Sequence, residues 1–249
     1  MVESTARSLQ LPLFATGGAQ EASWAVRTSR RARRLSVRVH VGGRVEIVVP
    51  PGVAASRVEA FVAAHRRWIA ERVREYTHLA DGQQRALPER LELAGFGENF
   101  EVKYGAGPTP PRVTQRATAL QVSGSQGGEP AVAQALRRWL IAYSRPRFTA
   151  ELDALAERTG LSYAGLQVRR QRTRWGSCSV RGTISVNVCL AFLPPELVRY
   201  LLLHELCHTR HMNHSGRFWA LVERYEPGRR QLDRELSNAW RTLPWWIHR

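Results

Sequence analysis

The chain has 249 residues, 43% of them hydrophobic, enough for one large domain or two small ones with real cores. Its formal charge is +16, and Lys103 is the only lysine among 37 basic residues, so the positive charge is nearly all arginine. No run of about 18 apolar residues occurs, which argues against a membrane span, and the opening segment lacks the basic-then-apolar pattern of a secretory signal. Three cysteines, Cys178, Cys189 and Cys207, are too few for a disulfide framework, so a reduced, cytoplasmic setting is expected. The arginines are dispersed and no nucleic-acid motif accompanies them. A nucleic-acid partner is therefore open but not favoured over a solvated basic surface.

In chain order, residues 1–20 read as a flexible leader and 21–125 as a β-rich N-terminal region. Leu35, Val37, Val39 and Val41 alternate with polar residues, Gly42-Gly43 offers a turn, and Val45, Ile47 and Val49 return as a hairpin. Val58, Phe61, Val62, Trp68, Ile69 and Val73 then recur at helical spacing, predicting a helix over about 56–79. Short strand-like pieces follow, "RLELAG", "NFEVKY", "PRVTQ" and "ALQVSG". "SGSQGGEP" (123–130) reads as a Gly/Ser linker into a second domain over 130–240. That domain opens with a long helix from about Pro130 to a stop at Gly160. Two strand candidates, "LQVRRQ" and "TISVNVCLAFL", are joined through "TRWGSCSVRG"; then Pro194-Pro195-Glu196 begins another helix, and two more helical patterns end the domain.

The chemistry concentrates in "LLLHELCHTRHMNHSGRFW" (201–219), which holds His204, His208, His211 and His214. His204, Glu205 and His208 spell H-E-x-x-H, and residues i and i+4 of a helix share one face. Both imidazoles then reach one metal ion, and Glu205 leans over the same site without ligating, placed to take a proton from metal-activated water. Zinc suits such nitrogen donors, and a catalytic zinc usually takes a third protein ligand. His211 is seven residues from His204, about 10 Å up the axis, too far to share the ion. His214 serves only if the helix stops and turns back at 212–215, with Asn213 in the left-handed conformation and Ser215 capping the next helix.

The segment from Arg172 to Trp219 resembles the YgjP-like family of zinc metallopeptidases, related to the SprT-like and wider zincin-type peptidases. The shared elements are Trp175-Gly176-Ser177-Cys178, Asn187, Pro194-Pro195-Glu196, the HExxH of His204–His208, and Asn213-His214-Ser215 with Phe218-Trp219. The resemblance is strong over about 165–226 and extends more loosely to the N-terminal hairpin and its helix. It implies one zinc ion held by His204, His208 and His214, with Glu205 as catalytic base. Two departures are visible: Arg172 stands where the family has lysine, and Val188 where it has an aromatic residue.

The expected fold is α+β, with the HExxH helix of the C-terminal zincin-like domain packed on a small sheet. In such folds an edge strand beside the metal helix pairs with extended substrate. "GTISVNVCLAFL" is the candidate strand and Trp175, Gly176 and Ser177 a candidate cleft wall, with Asn187 beside them; Trp175 reads equally well as core. Tyr143, Arg174 and Tyr225 are candidate oxyanion stabilisers. The function expected is zinc-dependent hydrolysis of a protein or peptide substrate. Two alternatives stay open: a nucleic-acid-associated protein with structural zinc, and a metal-dependent hydrolase of a non-peptide substrate.

Overall fold

The computed structural model describes residues 24–30, 32–39, 43–82, 87–171 and 174–247. The leader, Val41, Gly42 and Arg172 lie outside the described residues. Two compact units emerge, Met1–Gln84 and Arg85–Arg249.

In the first unit, β2 (Ser36–Val39) and β3 (Val45–Val49) form the expected antiparallel hairpin, with Val37 opposite Ile47. A strand not foreseen, β1 (Trp24–Thr28), adds in parallel to the other side of β3, making it central. Helix α1 (Ala55–Gly82) lays Val58, Val62 and Ile69 on Val45, Ile47 and Val49, a small core of branched aliphatics. Trp68, expected on that stripe, is 42% exposed, with the Arg72 guanidinium over its ring.

Among its described residues the second unit contains two sheets and four α-helices. Strands β4 (Arg90–Leu93), β5 (Glu98–Gly105), β6 (Arg112–Arg116) and β7 (Ala119–Ser123) form one sheet in the order β4-β5-β7-β6. Helix α2 (Glu129–Thr159) ends at Gly160, whose φ of 67° is the left-handed stop its sequence predicted. Strands β8 (Gly165–Arg169), β9 (Gly176–Cys178) and β10 (Thr183–Asn187) form the other sheet in the order β8-β10-β9. Helices α3 (Pro195–Cys207), α4 (Gly216–Tyr225) and α5 (Arg229–Asn238) complete it, and α3 packs on β9 and β10.

Two boundaries differ from those expected. "SGSQGGEP" is not a free linker: Ser125 donates to the Gly105 carbonyl at 3.0 Å from within a 3-10 turn. Leu93, Leu120 and Val122 of the first sheet share one buried cluster with Leu136, Leu140 and Phe148 of α2 and with Ile184 and Leu202. Glycine-rich composition signalled a loop, but apolar strands on one side of it and an apolar helix on the other need each other for burial. At the C-terminal end, Trp246 and Ile247 belong to the same core, and Arg137 and Arg170 donate to their carbonyls at 2.9 and 2.7 Å. The unit therefore does not close at 240. Among the described residues no helix is long and apolar enough to cross a membrane.

Candidate metal centre

Helix α3 starts with Pro195 in its first turn, where a missing N–H costs nothing, and it buries Leu197, Leu201, Leu202 and Leu206. Its last regular residue is Cys207, so the chain leaves the helix one turn earlier than the spacing suggested. Thr209 N–H donates to Leu206, Arg210 and His211 N–H to Cys207, and Thr209 Oγ1 to Leu206, which satisfies the final carbonyls. Asn213 takes no left-handed conformation: Ala117 alone among described non-glycine residues has positive φ. The turn toward His214 is built from these backbone bonds instead. Ser215 then caps α4 by accepting from Phe218 N–H, as expected.

The result brings His204, His208 and His214 together, with their ligand atoms all within 4.8 Å of one another. His204 Nε2 and His214 Nε2 are 3.1 Å apart, close to the roughly 3.3 Å that tetrahedral ligands at about 2.0–2.1 Å would show. His208 Nδ1–H donates to the His211 carbonyl at 3.0 Å, which leaves its Nε2 lone pair for a metal. His211 thus contributes through its backbone and stays outside the triad. Phe218 stacks on His208 (4.4 Å, 22°) and Trp219 on His214 (5.4 Å, 25°), so α4 orients two rings. Burial and the neighbouring His208 and His214 hold His204 down to about 3. His208 is lowered too, by burial first. Both imidazoles are therefore neutral near pH 7, the form that ligates.

Glu205 is 4% exposed, and its Oε2 is buried with no hydrogen-bond partner among the described residues. Burial pushes its carboxyl up to about 8, against the pull of Arg174. A buried carboxyl without a partner is costly in a structural role. The donor set and this orphaned oxygen together fit a metal with a proton carrier beside it.

Gly176 packs directly on Glu205, and a Cβ there would fall 2.6 Å from Oε1 and 2.8 Å from Cγ. The sheet order corrects the strand assignment. β10, the expected substrate-pairing strand, is central, and the edge beside α3 is β9, hidden in the glycine-bearing "WGSC" connection. Asn187 N–H bonds Trp175 O, Ser179 N–H bonds Thr183 O, and Ser177 lies opposite Ser185. Alternation along an antiparallel pair then turns the main-chain N–H and C=O of Gly176 and Cys178 to the unpaired side.

Trp175 and Asn187 are structural. Trp175 stacks on Trp240 (4.1 Å) and donates Nε1–H to Leu236 O at 2.9 Å. Asn187 is fully buried; its amide donates to Gln171 O and Arg174 O and accepts from Cys189 N–H. Such an asparagine has no group left for substrate. Val188 is likewise fully buried, so the departure there alters packing. Tyr225 donates to Thr159 O and Tyr143 to Glu98, which commits both hydroxyls elsewhere. Cys178 lies near Glu205 but outside the triad, and Cys207 is buried, away from it. No sequence signal pointed to Arg229, whose guanidinium covers Trp219, or to Asp233, which accepts from Tyr200.

The description "YgjP-like, metallopeptidase domain" matches residues 33–239. The chain belongs to the YgjP-like family. It is a metallopeptidase of that family by this match. The metallopeptidase zymogen of Pyrococcus abyssi abylysin is 26% identical over 36% of this chain and 93% of its own, with a TM-score of 0.34. That of Methanocaldococcus jannaschii jannalysin is 16% identical over 36% and 94%, with the same TM-score of 0.34. No curated protein matches the chain in sequence.

Proposed function

We propose that this YgjP-like chain hydrolyses peptide bonds of protein or peptide substrates, with one zinc ion held by His204, His208 and His214. The observation that carries the reading is the convergence of three ring nitrogens within 4.8 Å beside the unpartnered, buried Glu205 carboxyl. Three nitrogen donors suit zinc and leave a fourth position open. When bound, zinc supplies a Lewis acid that polarises a carbonyl and acidifies water.

The chain's own residues supply the rest. Glu205 accepts the proton of the attacking water and returns it to the leaving amine nitrogen. The unpaired side of β9 accepts an extended peptide through the main-chain groups of Gly176 and Cys178, next to the carboxyl that Gly176 contacts. Glu205 also separates catalysis from a structural metal site, which has no use for a proton carrier.

The test is metal analysis together with peptide hydrolysis, wild type beside Glu205→Gln. Stoichiometric zinc in both, with hydrolysis down by about 10²–10⁴-fold in the variant, is expected. A wild-type protein that binds no zinc, or a variant as active as wild type, overturns the reading.

A further inference from the structure

The three histidines are not held alike. His208 has a backbone partner on its far nitrogen, the His211 carbonyl. His214, the exposed member of the triad, has no such bond among the described residues; its polar contact is His204 Nε2. Its ring is held by packing, edge-on to Phe218 (4.9 Å, 83°) and stacked on Trp219 (5.4 Å, 25°). Whatever fixes Trp219 therefore fixes His214.

Arg229, the first residue of α5, does that. Its guanidinium carbon lies 4.2 Å from the centre of the Trp219 ring. It is itself clamped by Glu223, one helical turn beyond Trp219 on α4, at 2.9 and 3.0 Å, and lies 3.9 Å from Asp233. The side chain is only 13% exposed, so the cation is poorly solvated and its attraction for the indole face is strengthened. Asp233 in turn accepts from Tyr200, on α3 one turn before His204, at 2.5 Å. Helix α5 provides no ligand, yet it grips both α3, which carries His204, and α4, which begins two residues after His214.

We propose that Arg229 is a positioning residue for the third metal ligand. It presses the Trp219 indole into the orientation that presents His214, whose ring has no backbone partner among the described residues. This rests on the three-histidine reading above.

The test measures zinc affinity of the full chain by competition with a chromophoric chelator, with the thermal midpoint of the metal-free protein alongside. Arg229→Met keeps the length of the side chain and removes the cation; Arg229→Lys keeps a cation over the ring; His214→Ala removes the ligand. Affinity is expected to fall about 10-fold in Arg229→Met, the scale of lost outer partners of metal ligands, and to recover largely in Arg229→Lys. Wild-type affinity in Arg229→Met, with weakened binding in His214→Ala, overturns this inference alone. So does a loss that tracks a lowered metal-free midpoint equally in both Arg229 variants. Wild-type affinity in His214→Ala overturns the three-histidine reading, and this inference with it.

Discussion

Gly176 has no room for a side chain, because the Glu205 carboxyl occupies it. A methyl group there would meet Oε1, Cγ and Cδ at 2.6, 2.8 and 2.9 Å, so the whole end of Glu205 must shift rather than one flexible tip. A displacement of about 1 Å costs on the order of 10²-fold in rate. Gly176→Ala is therefore expected to lose about 10²-fold in kcat/KM of peptide hydrolysis while its zinc content, by metal analysis, stays at wild type. Asn187 makes the opposite demand, since its amide holds three backbone groups around the approach to β9. Asn187→Ala leaves buried polar groups unpaired, and a loss on the order of 3 kcal/mol in urea unfolding is expected. Asn187 thus acts on the edge strand through the backbone, and Gly176 acts on the Glu205 carboxyl through space.

Between elements, the clearest ionic tie joins β5 to α2. Arg147 donates to both Glu98 oxygens at 2.8–3.3 Å, and Tyr143 donates to the same carboxylate. Burial alone would raise the Glu98 carboxyl, but the Arg147 and Tyr143 hydrogen bonds and the Arg147 charge outweigh it and hold it below its ordinary value. A lowered folded value means this stabilisation is present above the unfolded carboxyl's pKa of about 4.3 and fades as pH falls through the folded value. Wild type should exceed Glu98→Gln by on the order of 1 kcal/mol at pH 7, both partners being about one-third exposed, with the gap closing toward pH 3. Urea unfolding at both pH values measures it; a gap that widens in acid contradicts the tie. The same pairing shows what the sequence could reveal. Val37 and Ile47 alternate, and α1 and α2 carry helical periodicity, so local elements were readable. H-E-x-x-H was readable because its geometry is contained in one helical turn. β9 was not: three residues with glycine carry no alternation, and only their pairing with β10 makes them a strand. Nor was Arg229, because in an arginine-rich chain nothing local distinguishes an arginine that covers an indole.

For the molecule as a whole, the division at Gln84/Arg85 has a physical basis. Val45, Ile47, Val49, Val58, Val62 and Ile69 form one buried cluster, and the far larger one runs from Leu91 to Ile247 without using any of them. Every residue assigned to the metal site, and the Arg229 and Asp233 grip behind it, lies in the second unit. Residues 85–249 are long enough to bury a core of their own. This segment, expressed alone, is expected to unfold in one cooperative thermal transition and to bind zinc one-to-one with wild-type affinity. A boundary at the glycine-rich stretch would let the segment from 130 fold alone, but cutting there strips β4, β5, β6 and β7 from α2 and exposes Leu136, Leu140 and Phe148. A segment beginning at 130 should therefore lose cooperative unfolding where one beginning at 85 keeps it. Calorimetry on the two segments decides between the boundaries; equal behaviour would show that the first sheet of this unit is dispensable to the metal site.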